Sequence, residues 1–167
     1  MKQTGWRDFL FSFRGRSARG RFWLYNAIAV PLLALLVVAF WVYALSIPGA
    51  YENGGPTPFP SDSLGIAGAV LFFALLAVIL FSGTAITVRR LHDRDKAWWW
   101  ILVFFCAPDI FLTLAQVLDE TGTATASLLF ILQFAALALG VWGAIELGVL
   151  RGTTGANRYG PDPLAAG

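Results

Sequence analysis

Four long apolar runs separated by short polar segments dominate the chain: about Phe22 to Ser46, Leu64 to Val88, Ala97 to Leu118 and Ser127 to Leu150. None shows the alternation of a barrel strand. A helix needs about 20 apolar residues to cross a hydrocarbon core about 30 Å thick, and each run is long enough. Lipid offers nothing to backbone N–H and C=O groups, so these runs must satisfy themselves internally, as helices do. Ahead of them, Trp6, Phe9, Leu10 and Phe13 recur at i, i+3, i+4 and i+7. That spacing predicts a short amphipathic helix, with Phe11 off its face. The expected fold is an all-α membrane protein: one domain over 1–167, four transmembrane helices, a basic amphipathic segment at 1–21 and a tail at 151–167.

Composition agrees. Hydrophobic residues make up 57% of the chain and charged ones 13%, where soluble domains are about a quarter charged. The single cysteine, Cys106, excludes an internal disulfide. Charge placement says more. Lys2, Arg7, Arg14, Arg16, Arg19 and Arg21 precede the first run; Arg89, Arg90, Arg94 and Lys96 join the second to the third; Arg151 and Arg158 follow the fourth. The other two connections carry only acids, Glu52, Asp62, Asp119 and Glu120. The positive-inside bias then predicts a multi-pass membrane protein with both termini in the cytoplasm. The first run exceeds the roughly 7–15 residues of a signal-peptide core, so it is expected to remain.

The hairpin Arg89–Trp100 holds the densest chemistry. Arg89 and Asp93, four apart, are expected to pair on a helical turn. Trp98, Trp99 and Trp100 suit the lipid–water boundary. His92 is not needed for topology; with Asp93 and Asp95 it could carry a proton or ligate a metal. It is the only histidine, and no second Cys/His group completes a site. The expectation is therefore a structural histidine, with no catalytic residue, metal or cofactor assigned.

Three motifs line up with a known pattern. Gly15-Arg16-Ser17-Ala18-Arg19-Gly20-Arg21-Phe22-Trp23 matches GRxxRxxFW. Arg89-Arg90-Leu91-His92-Asp93 with Lys96, Trp99 and Trp100 matches RRLHDxxKxxWW. Gly152 to Pro163 matches GTxGxNRYGPDP. With four spans, the chain resembles the bacterial inner-membrane family catalogued as domain of unknown function 805, the YhaH-like proteins, from about Phe11 to Leu164. The resemblance implies no activity and no catalytic residue. Family members usually carry glycine where this chain has Asp95 and Trp98, and proline where it has Thr154 and Ala156.

All three motifs fall on the cationic side. The turn formers Gly155, Gly160, Pro161 and Pro163 lead us to expect a tail folded over the hairpin. One polar cap would then gather Arg16, Arg19, Arg89, Arg90, His92, Asp93, Asn157, Arg158, Tyr159 and Asp162. Within the spans, Asp109 after Pro108 is expected to bond Thr113 or Gln133. Glu146 is expected to pair with Arg151, Arg89 or Arg90. Ala136, Gly140, Ala144 and Gly148 repeat every four residues, a helix-packing pattern. The leading functional expectation is a non-enzymatic binding or scaffold protein whose cap meets a protein partner or anionic lipid, with membrane lipids around it and no nucleic acid. A small transporter or homo-oligomeric channel using Asp109 is the alternative. A membrane enzyme acting on lipid headgroups through His92–Asp93 ranks below both, since no nucleophile motif or phosphate loop supports it.

Overall fold

The computed structural model describes residues 6–45 and 63–165. Glu52, Asp62 and the Gly54–Pro60 stretch lie outside them, as does the Trp6 side chain. The regular elements of the described chain are all helices, with no strand among the described residues: α1 (Trp6–Phe11), α2 (Arg19–Leu45), α3 (Ser63–Asp93), α4 (Ala107–Glu120) and α5 (Ala126–Ala144). A π-helical stretch, Leu102–Cys106, runs into α4, and a second, Ile145–Val149, extends α5. Four segments are long and apolar enough to span a membrane: Arg19–Tyr43, Gly65–Asp93, Leu102–Glu120 and Ala126–Val149.

The side chains on these spans confirm what the solvent must be. Leu35, Val70, Phe130 and Leu137 are each more than 60% exposed, and dozens of other large apolar groups are exposed as well. Water would not tolerate so continuous an apolar surface; acyl chains do.

The chain divides into two units. One holds residues 24–84, the greater part of α2 and α3. There the Tyr25 hydroxyl donates to the Ile79 carbonyl at 2.7 Å and lies 2.7 Å from the Ser82 hydroxyl. Gly83 faces Tyr25, whose hydroxyl oxygen lies 3.5 Å from where a Cβ would stand, an ordinary contact distance. Phe40 stacks on Phe72 with centroids 4.5 Å apart.

The other unit holds residues 1–23 and 85–167. Its small core is Leu91, Phe104 and Leu147, with Phe22, Trp100, Ile101 and Val103 packed around it. Phe104 presses on Gly143, where an added Cβ would come within 3.0 Å of the Phe104 Cβ. Of the four small residues spaced by four, Ala136 and Gly148 are buried, while Gly140 and Ala144 are exposed. Two glycines admit a neighbour closely: Gly143 takes Phe104, and Gly148, one of the four, takes Trp23.

Candidate functional site

The second unit contains a polar cluster built from all three motifs. It begins at Gly15, whose φ of +85° is readily available only to glycine. That bend brings Ser17 N–H to the Arg89 carbonyl at 3.1 Å. Arg16 then points inward, and its side chain is only 1% exposed. Its Nε donates to Asp93 Oδ1 at 3.0 Å, Nη2 to the Thr153 carbonyl at 2.5 Å and Nη1 to the Gly155 carbonyl at 2.6 Å. One guanidinium thus holds both the hairpin and the tail. Asp93 is shared: its Oδ2 takes a second charge-assisted bond from Arg90 Nη1. The expected Arg89–Asp93 pair is not formed. Arg89 Nη1 and Nη2 instead donate to the carbonyls of Asp8 and Phe9, with its guanidinium carbon 5.6 Å from the Phe9 ring centre. It fastens the end of α1, adding a second donor to the Asp8 carbonyl, which already accepts from Ser12 N–H at 3.3 Å.

The end of the fourth span has the same need. Helix C-termini leave four carbonyls unsatisfied, and here each of the four finds a donor. Leu147 O accepts from Arg90 Nε at 2.8 Å, Gly148 O from Trp23 Nε1 at 2.9 Å, Val149 O from Arg19 Nη1 at 2.7 Å, and Leu150 O from Arg90 Nη2. Cationic donors also suit the negative end of the helix dipole. This explains the first motif: Arg16 serves the tail, while Arg19 and Trp23 close the fourth span. Gly148 is required because a Cβ would lie 2.8 Å from the Trp23 ring.

The tail returns over the hairpin. Thr153 N–H donates to the Asp93 carbonyl at 2.8 Å. Gly152 stands where any Cβ would overlap the Asp93 carboxylate. Asn157 Nδ2 donates to the His92 carbonyl and to Thr153 Oγ1, both at 2.9 Å, while its main chain pairs with Gly160 in both directions at 3.0 Å. Tyr159 stacks flat on His92, centroids 3.8 Å apart. Arg158 bonds Asp95 through Nε at 3.1 Å and lies over the Tyr159 ring. Asp95 has a φ of +56°. That is a left-handed position natural to glycine and tolerated by aspartate, which accounts for the departure from the family's usual residue. Asp162 accepts backbone N–H bonds from Leu164 at 2.9 Å and Gly155 at 3.2 Å. The Leu164 bond chiefly holds its carboxyl below the usual range, with Gly155 and the Arg16 and Arg151 charges adding to it.

Glu146, buried, pairs with Arg94 at 3.1 Å and Lys96 at 3.6 Å, not with the arginines first expected. Arg89 and Arg90 are taken up elsewhere, by the α1 carbonyls and by Asp93 with the Leu147 and Leu150 carbonyls. Arg94, Lys96, Gly152 and Thr153 therefore belong to the cluster although no spacing singled them out; the motifs containing them were the available signal. His92 Nδ1 lies 3.2 Å from the Gly15 carbonyl, and no three His, Cys, Asp or Glu side chains gather around it or elsewhere among the described residues. Asp109 and Gln133 are not part of the cluster. Both are exposed on the spans, and neither bonds the other or Thr113.

Similarity to known proteins covers nearly the whole chain. It is 27% identical over 156 residues to the uncharacterized protein YiiR of Escherichia coli strain K12, covering 93% of this chain and 88% of that one. It is 24% identical over 151 residues to the inner membrane protein YhaH of the same strain, covering 90% and 86%. No solved structure matches. The four apolar spans and these relatives make it a multi-pass integral protein of the inner membrane. Residues 10–161 match the family described as protein of unknown function (DUF805), and the chain belongs to that family.

Proposed function

We propose that the chain is a non-enzymatic binding protein whose polar cap lies in the cytoplasm and holds anionic lipid headgroups of the inner leaflet. The cation asymmetry supports the orientation: all twelve Lys and Arg flank the ends that would face the cytoplasm, termini included. The non-enzymatic reading is supported by occupancy. Arg16, Arg90, Asp93 and Glu146 are buried and engaged with one another, with neighbouring side chains or with main-chain carbonyls. His92 is stacked and bonded. Groups held this way fix a shape rather than turn over a substrate.

The observation that carries the ligand is the rim. Arg7, Arg14, Arg21 and Arg151 are exposed and make no ion pair among the described residues. Phe11, Phe13, Trp98 and Trp99 are exposed in the same unit. Cations beside aromatic groups are what a headgroup layer rewards. Each such cation contributes about 1 kcal/mol toward an anionic leaflet. The test is native mass spectrometry of the detergent-purified protein with phosphatidylglycerol against phosphatidylethanolamine. The expected result is retention of the anionic lipid, weakened about thirtyfold in a double Arg14→Gln, Arg21→Gln variant, from about 2 kcal/mol. Equal retention of both lipids by the wild type would reject the reading.

A further inference from the structure

Asp109, Thr113, Gln116 and Glu120 recur along α4 at steps of four, three and four, and all four are exposed. The buried Ala115 lies on the opposite side of the helix. Asp109 and Thr113 also line a shallow open groove with Ile110, Leu114 and Val117. Apart from the Gln116 Nε2 to Glu120 Oε1 bond at 3.0 Å, the stripe's side chains make no hydrogen bond or ion pair with the rest of the described chain. A polar stripe turned toward acyl chains is costly, and intramembrane acids face protein or water almost without exception.

We infer that this face of α4 is the contact between two copies of the chain, paired about a two-fold axis normal to the membrane. Three features select a second copy over a different protein. Steps of four, three and four are the alternation of a and d positions along a seam between helices. Copies in one membrane share one topology, so their α4 helices run parallel and equal residues meet at equal depth. Thr and Gln each donate and accept, so Thr113 and Gln116 are complementary to themselves. Asp109 then meets Asp109 of the second copy at the same depth, away from acyl chains. Glu120, at the outer end of the span, stays in water, where like charges are screened. The inference does not depend on the lipid proposal, since it concerns α4 and not the rim.

Cysteine cross-linking in native membranes tests it, in a Cys106→Ser background because Cys106 is exposed. Under mild oxidation, Gln116→Cys and Thr113→Cys are each expected to give a disulfide-linked product of twice the chain mass. Leu114→Cys is exposed too but lies roughly 130° around the helix from the stripe, and is expected to give little. Adding Gln116→Leu to the Thr113→Cys chain should weaken association about threefold to tenfold, the worth of one or two membrane hydrogen bonds. Absence of the dimer at both stripe positions, equal yields at all three, or a product with the mass of another protein would each overturn the inference.

Discussion

Replacing Asp93 with asparagine removes one negative charge from between two guanidinium groups that have no access to water. The Arg16 and Arg90 side chains are 1% and 0% exposed and that of Asp93 4%. Removing one partner from a buried ion pair costs about 3–5 kcal/mol, because the other charge stays buried without compensation. Here two charges stay behind, yet both keep main-chain partners: Thr153 and Gly155 for Arg16, Leu147 and Leu150 for Arg90. The lower end, about 3 kcal/mol, is therefore expected. It should appear as easier opening of the tail, since both the Arg16 clamp and the tail's seat on the hairpin loosen together. At about 1.4 kcal/mol per factor of ten, exchange of the Thr153, Asn157 and Gly160 amides should quicken about a hundredfold. Asp95→Asn is the internal comparison. Its pair with Arg158 is half exposed, at 48% and 59%, and such pairs contribute at most about 1 kcal/mol, or about fivefold in exchange. If Asp93→Asn quickens exchange no more than Asp95→Asn, the reasoning from the buried triad is wrong.

Gly152→Ala should lower the melting temperature in detergent, with an overpacking cost of about 1–3 kcal/mol, because its Cβ collides with the Asp93 carboxylate. Gly20→Ala, with nothing within 4 Å of its Cβ, should melt no lower than the wild type. Arg90→Lys keeps the charge but loses the fork that reaches Leu147, Leu150 and Asp93 at once; a loss of about 2 kcal/mol is expected in the same melt, and an unchanged melt would show that the fork is not needed. Asp162 sets the acid response of the tail turn. Its carboxyl is held below the ordinary range by backbone N–H bonds, so its contribution is complete above about pH 4 and is lost as pH falls through the lowered value. After correction for intrinsic rates, protection of the Gly155 and Leu164 amides should be flat from pH 7 to about 5 and fall below about 4; Asp162→Asn should abolish that fall.

The membrane fold was legible because length and apolarity alone decide it: a run of about 20 apolar residues has few fates other than a spanning helix. The tail's contact with the hairpin was legible from turn chemistry, since Gly155 and Gly160 stand at the positive-φ positions that fold it back, at +76° and +136°. Pairings were not. Asp93 has Arg89 four residues behind it, but Arg16 reaches it from 77 residues away, and no one-dimensional spacing encodes that. The two π-helical stretches were also hidden, because a one-residue insertion in a wholly apolar run leaves the hydrophobic pattern unchanged. Asp109 was singled out but its direction was not. The steps to Thr113, Gln116 and Glu120 were in the sequence, yet only the outward exposure of all four turns them into a single surface.

The central claim is that the tail is seated on the hairpin, and the chain's only histidine gives it a direct reporter. His92 lies 3.8 Å beneath the Tyr159 ring and nearly parallel to it, so the ring current of the tyrosine must act on the imidazole protons. In the proton–carbon spectrum of the histidine-labelled full chain in lipid nanodiscs, those protons should resonate well upfield of free histidine and return toward it in Tyr159→Leu. Imidazole resonances at the free position in the wild type would contradict the seated tail and the cap built on it.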